Sequence, residues 1–161
     1  MNEITARFGE GVKIFVDTPP QLSNVCQTLI CSMAQGKEFD GHLMIPVRSD
    51  LFGVKGARIC VTESFEVLDT FGLNADRIGV TVFLANYDQR TKTSVQTLVM
   101  LTRDEVLSEF ISTVAIRHSG EVTRAGYRHG NVFNDWKNAN TIGSDYTELL
   151  LSTLGWQRKE V

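Results

Sequence analysis

The stretch Arg77-Ile78-Gly79-Val80-Thr81-Val82-Phe83-Leu84-Ala85-Asn86-Tyr87-Asp88-Gln89-Arg90-Thr91-Lys92-Thr93-Ser94-Val95-Gln96-Thr97-Leu98-Val99-Met100-Leu101 decides how this chain is read. Its two ends, 77–85 and 93–101, are rich in β-branched residues, which suit a pleated, half-buried surface. The polar piece from Asn86 to Lys92 lies between them. The pattern predicts a hairpin of two strands with a solvated tip, and hence a largely antiparallel sheet.

Working outward, Thr102-Arg103-Asp104-Glu105 has the form of a capping box. It predicts a helix with Val106, Leu107, Phe110, Ile111 and Val114 on one face, Arg117 and His118 in the last turn, and Gly120 as its stop. Ser144 is positioned to cap a final helix carrying Tyr146, Leu149, Leu150 and Leu154, closed by Gly155. On the other side, Ala57 to Thr62 reads as a strand, and Glu63 to Phe71 as a short helix with Phe65 and Leu68 inward. Ser49 to Gly56 reads as a loop. His42 to Arg48 reads as a strand. Pro46 cannot donate to a ladder and so belongs at a sheet edge. Thr18-Pro19-Pro20-Gln21 starts a helix whose apolar positions are Leu22, Val25, Cys26, Leu29, Ile30 and Met33, ending at Gly36. Gly11 to Val16 is a short first strand.

The expected order is β-α-β-β-(α)-β-β-α-loop-α. Consecutive strands favour an α+β fold: a mostly antiparallel sheet of about five strands with two or three helices packed on it. Alternating βαβα units are not seen, which argues against a doubly wound sheet.

The chain has 161 residues, 42% hydrophobic and 22% charged, the profile of one ordinary globular domain. A chain of this size buries roughly 70% of its unfolded surface and needs no disulfide or metal to fold. Sixteen basic and nineteen acidic residues give a net charge of −3, too balanced to advertise nucleic acid or a membrane surface. The three cysteines, Cys26, Cys31 and Cys60, are odd in number and form no CxxC, which points to free thiols. Met1-Asn2-Glu3-Ile4-Thr5 lacks a basic-then-apolar leader, and no stretch approaches ~18 apolar residues. A cytoplasmic protein without membrane contact is expected.

Catalytic and cofactor motifs are missing: no HExxH, GxSxG, Walker A loop or EF-hand loop. Gly9-Glu10-Gly11 precedes a strand instead of following one and lacks a third glycine, so it is no dinucleotide fingerprint. The histidines, His42, His118 and His129, have no spacing that gathers a metal. A thiolate–imidazole pair of Cys60 with His42 is unconstrained by the pattern, and buried cysteine is the commoner outcome. No cofactor is expected.

One segment concentrates binding chemistry. Between Arg117 and Gly130 stand three arginines, two histidines and a single acid. Arginine forks suit phosphate or carboxylate, and glycines admit close approach of a ligand. Arg117, His118, Arg124, Tyr127, Arg128 and His129 are the candidate ligand-binding residues. Tyr127, Phe133 and Trp136 suit base stacking, and Asn131 or Asn134 suits reading a base edge. The competing reading is plain: Arg117 and His118 cap a helix, Arg124 and Arg128 pair with surface acids, and the aromatics anchor the loop.

Two functions are expected from these observations. The first is a non-enzymatic accessory or assembly protein acting through protein–protein contacts, with itself or a protein partner, as a homo-oligomer. The second is a binder, or even a processor, of nucleotides, nucleic acid or another phosphate-bearing ligand through residues 117–136.

Overall fold

A computed structural model describes residues 7, 13–19, 22–36, 41–120, 122 and 139–155, with the side chains of 139–141 excluded. Among these residues it contains four α-helices and one sheet of two parallel strands. The expected antiparallel sheet of about five strands is therefore overturned. The elements are α1 (Asn24–Gln35), β1 (Gly41–Arg48), α2 (Leu51–Thr70), β2 (Ile78–Ala85), α3 (Lys92–Arg103) and α4 (Ala139–Leu154).

The pivotal correction is Ala57 to Thr62, which is the middle of α2 and not a strand. Its buried positions are Val54, Ala57, Val61, Ser64 and Leu68, the three-and-four spacing of a helix face. Asp50 caps it, accepting from Gly53 N at 2.6 Å. Gly53 is required by crowding: a Cβ there would stand 2.5 Å from the Arg48 carbonyl oxygen. A glycine that suggests a loop thus marks the tight passage from β1 into α2. As a crossover helix, α2 makes β1 and β2 parallel, with Gly41 opposite Ile78 and Arg48 opposite Ala85.

Thr93 to Leu101 is also helical. Thr91 is the N-cap of α3, and burial falls on Ser94, Thr97 and Leu101, which no strand alternation gives. The helix expected to open at Thr102, with Arg117 and His118 in its last turn and Gly120 as its stop, is not there. Asp104 turns the chain instead, accepting from Val106 N at 2.9 Å and Leu107 N at 3.0 Å, and a single 3-10 turn covers Leu107–Glu109.

Beyond that turn the chain runs beside β2. Val82 N donates to Phe110 O, Ser112 N to Val82 O, Ile116 N to Leu84 O and His118 N to Tyr87 O, all within 2.7–2.8 Å. Isolated parallel bridges join Val82 to Ile111 and Tyr87 to Arg117. The pairing is interrupted because β2 advances two residues, Val82 to Leu84, while its neighbour advances four, Ser112 to Ile116. That surplus bulges the chain, with Ser112 Oγ accepting from Val114 N at 3.0 Å.

Alternation along the strands separates two cores. Ile45, Val47, Val82 and Leu84 meet Val54, Ala57 and Val61 of α2 and Leu101 of α3. On the opposite face Phe83, Val114 and Ile116 meet Ile142 and Leu149 of α4. Helix α1 packs through Ile30 and Ala34 on Leu68 and Ile78.

Several local expectations stand differently. The cap of α1 is Ser23, not Thr18. Residues 13–19 form no strand, and Ile14, Phe15 and Val16 are exposed. Strand β1 has β2 on one side only among the described residues, the edge position Pro46 calls for. Gly155 closes α4 with φ +63°. The three cysteines are free thiols. No helix among the described residues is long and apolar enough to cross a membrane.

Candidate functional site

Parallel strands aim their C-terminal ends at one edge, where the loops into the following helices gather side chains. Here that edge holds Ser49 and Asp50 after β1, Asn86 to Thr91 after β2, and Arg117 and His118 beside them. Asn86 takes a left-handed backbone, φ 63°, which asparagine tolerates better than most residues. The kink lets its side chain meet His118, Nδ1 to Oδ1 at 2.6 Å.

Asp88 accepts a two-pronged grip from Arg90, Nε to Oδ1 and Nη2 to Oδ2 at 3.0 Å each. Those hydrogen bonds hold the Asp88 carboxyl down to about 2. The loop then enters α3, where Thr91 Oγ donates to Asp88 O at 2.9 Å and accepts from Ser94 N at 3.4 Å.

Arg117 is tied to Asp145 of α4. Its Nη2 reaches Oδ1 at 2.6 Å, its Nε reaches Oδ2 at 2.9 Å, and its backbone N–H donates to Oδ2 at 3.0 Å. Asp145 is buried. Burial alone would raise its carboxyl, but the hydrogen bonds and charge of Arg117 outweigh burial and leave it below the usual carboxylate range. Sequence gives no signal for this partner, which lies 28 residues away.

The structure therefore brings Arg117 and His118 to the sheet edge together, but as the end of a segment paired with β2 and not as helix caps. Arg124, Tyr127, Arg128 and His129 lie outside the described residues, as do Asn131, Phe133, Asn134 and Trp136. The polar piece Asn86 to Lys92 is a strand-to-helix loop that runs into the first residue of α3, and not a hairpin tip. Ser49 Oγ, also at this edge, is buried without a hydrogen-bond partner among the described residues.

The other histidine in view is at the opposite end of the sheet. His42 Nε2 lies 2.8 Å from Thr81 Oγ, and its ring occupies the space that a Cβ on Gly79 would fill. Burial pushes its imidazole below the ordinary value. Alternation puts His42 on the face away from α2, whereas Cys60 sits on α2 among the residues packed on the first core. The cysteine–histidine pair is not formed. Burial raises the Cys60 thiol, the opposite of what a nucleophile needs. Among the described residues no three His, Cys, Asp or Glu side chains gather to hold a metal.

A second feature emerges only once α2 and α3 are known to be helices. Phe52, 81% exposed, and Ile59, 55% exposed, stand on the outer side of α2, and Val95, Val99 and Met100 on that of α3. Meanwhile α3 turns Ser94 and Thr97 inward. No family model and no curated protein matches the chain.

Proposed function

We propose that this chain is a non-enzymatic accessory or assembly protein that acts through protein–protein contacts and associates with itself. The observation that supports this reading is the outer face of α3, where Val95, Val99 and Met100 are exposed while Ser94 and Thr97 are buried with Leu101, together with exposed Phe52 and Ile59 on α2. Exposed apolar side chains grouped on one layer of a fold favour a docking surface over plain solvent. Three described arginines at the C-terminal edge, Arg48, Arg90 and Arg117, already have carboxylate partners, which removes much of the donor capacity an anion site needs. Light scattering on the full chain should give a mass above the monomer, reduced by Val99→Glu. A monomer at the highest soluble concentration removes self-association from the proposal.

A phosphate-binding role at the sheet edge is the second reading. It is favoured by the buried Ser49 hydroxyl, without a hydrogen-bond partner among the described residues, at the C-terminal end of parallel strands. Titration calorimetry with inorganic phosphate, nucleotides and oligonucleotides tests it. Binding that falls in Ser49→Ala and in Arg124→Ala/Arg128→Ala supports it, and no heat from any of them ends it.

A further inference from the structure

The outer surface of α2 has an internal order that, among the described residues, is met only at Arg58, which pairs with Asp104. Phe52, Lys55, Ile59, Thr62, Glu66 and Asp69 are all exposed. They recur at intervals of three and four, a seam along the side opposite the buried Val54, Ala57, Val61, Ser64 and Leu68. Charge along this side is sorted, with Lys55 and Arg58 in the first half and Glu63, Glu66 and Asp69 in the second.

Within one helix this order is unfavourable. The first turn has no acid and the last turn no base, and Asp69 stands in the last turn, against the helix dipole. Neighbours three apart are like-charged: Lys55 with Arg58, Glu63 with Glu66, and Glu66 with Asp69. Arg58 reaches Asp104 at 3.4 Å. An open groove lined by Arg58, Ile59, Thr62, Glu63 and Glu66 lies along the same surface.

An antiparallel copy of the same helix answers the pattern. We infer that α2 is the centre of a two-fold interface between two copies of this chain, with Lys55 of each copy facing Glu66 of the other. The same register sets Ile59 opposite Thr62 of the second copy, next to the axis, and Phe52 opposite Asp69. The match is self-complementary, as a two-fold contact must be. A 20-residue helix is about 30 Å long, which alone is narrow for the ~1,000 Å² of a stable interface. Helix α3 shares the first core with α2, and its outward Val95, Val99 and Met100 widen the surface.

This inference rests on the self-association proposed above and names its surface and partner. Sedimentation velocity on the full chain tests it with Lys55→Glu, Glu66→Lys, the double exchange and an equimolar mixture of the two single variants. All these positions are exposed, and circular dichroism confirms that each variant folds. Each single exchange sets like charges opposite one another twice per dimer and should raise the dimer Kd about tenfold or more. The double exchange, and the mixture as a heterodimer, restore both pairs and should return Kd to within about threefold of wild type. A wild-type dimer whose Kd ignores the single exchanges, or a mixture no tighter than its components, overturns the α2 interface while leaving self-association intact. A wild-type monomer overturns both.

Discussion

Strand β2 and helix α3 are built from much the same residues and become different structures. Both are rich in valine, threonine and leucine. In β2, Ile78 and then Thr81 to Leu84 are buried without a break, because helices cover both faces of the sheet there. In α3 only Ser94, Thr97 and Leu101 are buried. β-Branched composition is a weak prior that tertiary contacts override. What separates the two segments is the cap. Thr91 and the Asp88 loop commit the chain to a helical turn before the first valine arrives.

The largest expected effect breaks this comparison if it fails. Leu101→Ala empties a fully buried position shared by α2, α3 and the sheet and should cost about 2–5 kcal/mol. Val99→Ala, measured at high dilution, should stay within about 0.5 kcal/mol. In a strand, 99 and 101 would share a face and respond alike. Comparable losses from urea denaturation of both variants would return residues 93–101 to a strand.

The same contrast explains how much could be read in advance. Segments with one strong signal were legible: His42 to Arg48 with its edge proline, the run Arg77 to Ala85, and the end of the last helix at Gly155, although that helix begins at Ala139, with the expected cap Ser144 inside it and Tyr146 exposed. Segments where two signals conflict were not. In 51–62 the glycines suggested a loop and Ile59-Cys60-Val61 a strand, while the deciding fact was Gly53 against the Arg48 carbonyl, a contact between neighbours in space. The apparent capping box at Thr102 hid a turn made by Asp104. At the candidate site, the adjacency of Arg117 and His118 was visible. Their real partners, Asp145 and Asn86, were not, because they arrive from other elements. The outward apolar face could not be seen while its helices were read as strands.

A middle-sized effect sharpens the comparison at the segment that continues the sheet beyond β2. Arg117→Ala leaves the buried Asp145 carboxylate with no guanidinium, and should cost about 1–3 kcal/mol because Arg117 itself is half exposed. The cost depends on pH. The folded Asp145 carboxyl lies below its ordinary value, so the folded state binds its proton less readily than the unfolded chain. Its contribution is full above the unfolded value, about 3.9, and is lost as pH falls through the folded one. The stability gap between wild type and Asp145→Asn should therefore be flat near neutrality and narrow in acid. A gap that widens as pH falls would mean that Arg117 does not hold Asp145.

The smallest effect bears on the cap itself. Thr91 Oγ accepts from Ser94 N and donates to the Asp88 carbonyl, so it joins the loop after β2 to the first turn of α3. Thr91→Ala removes both contacts and should cost about 1 kcal/mol, whereas Thr91→Ser keeps the hydroxyl and should cost less. Were Asn86 to Lys92 a solvated hairpin tip, neither change would exceed the scatter of surface substitutions, about 0.5 kcal/mol. The alanine-to-serine difference matters more than either value. A shorter side chain alters packing in both variants, but only alanine leaves the Ser94 amide without its cap. Amide exchange at Ser94 and Val95 reports the same event locally. Faster exchange in Thr91→Ala, recovered in Thr91→Ser, assigns the effect to the helix start. Unchanged exchange alongside a lower denaturation midpoint assigns it to the loop, and would mean that something other than this hydroxyl turns a β-branched segment into α3.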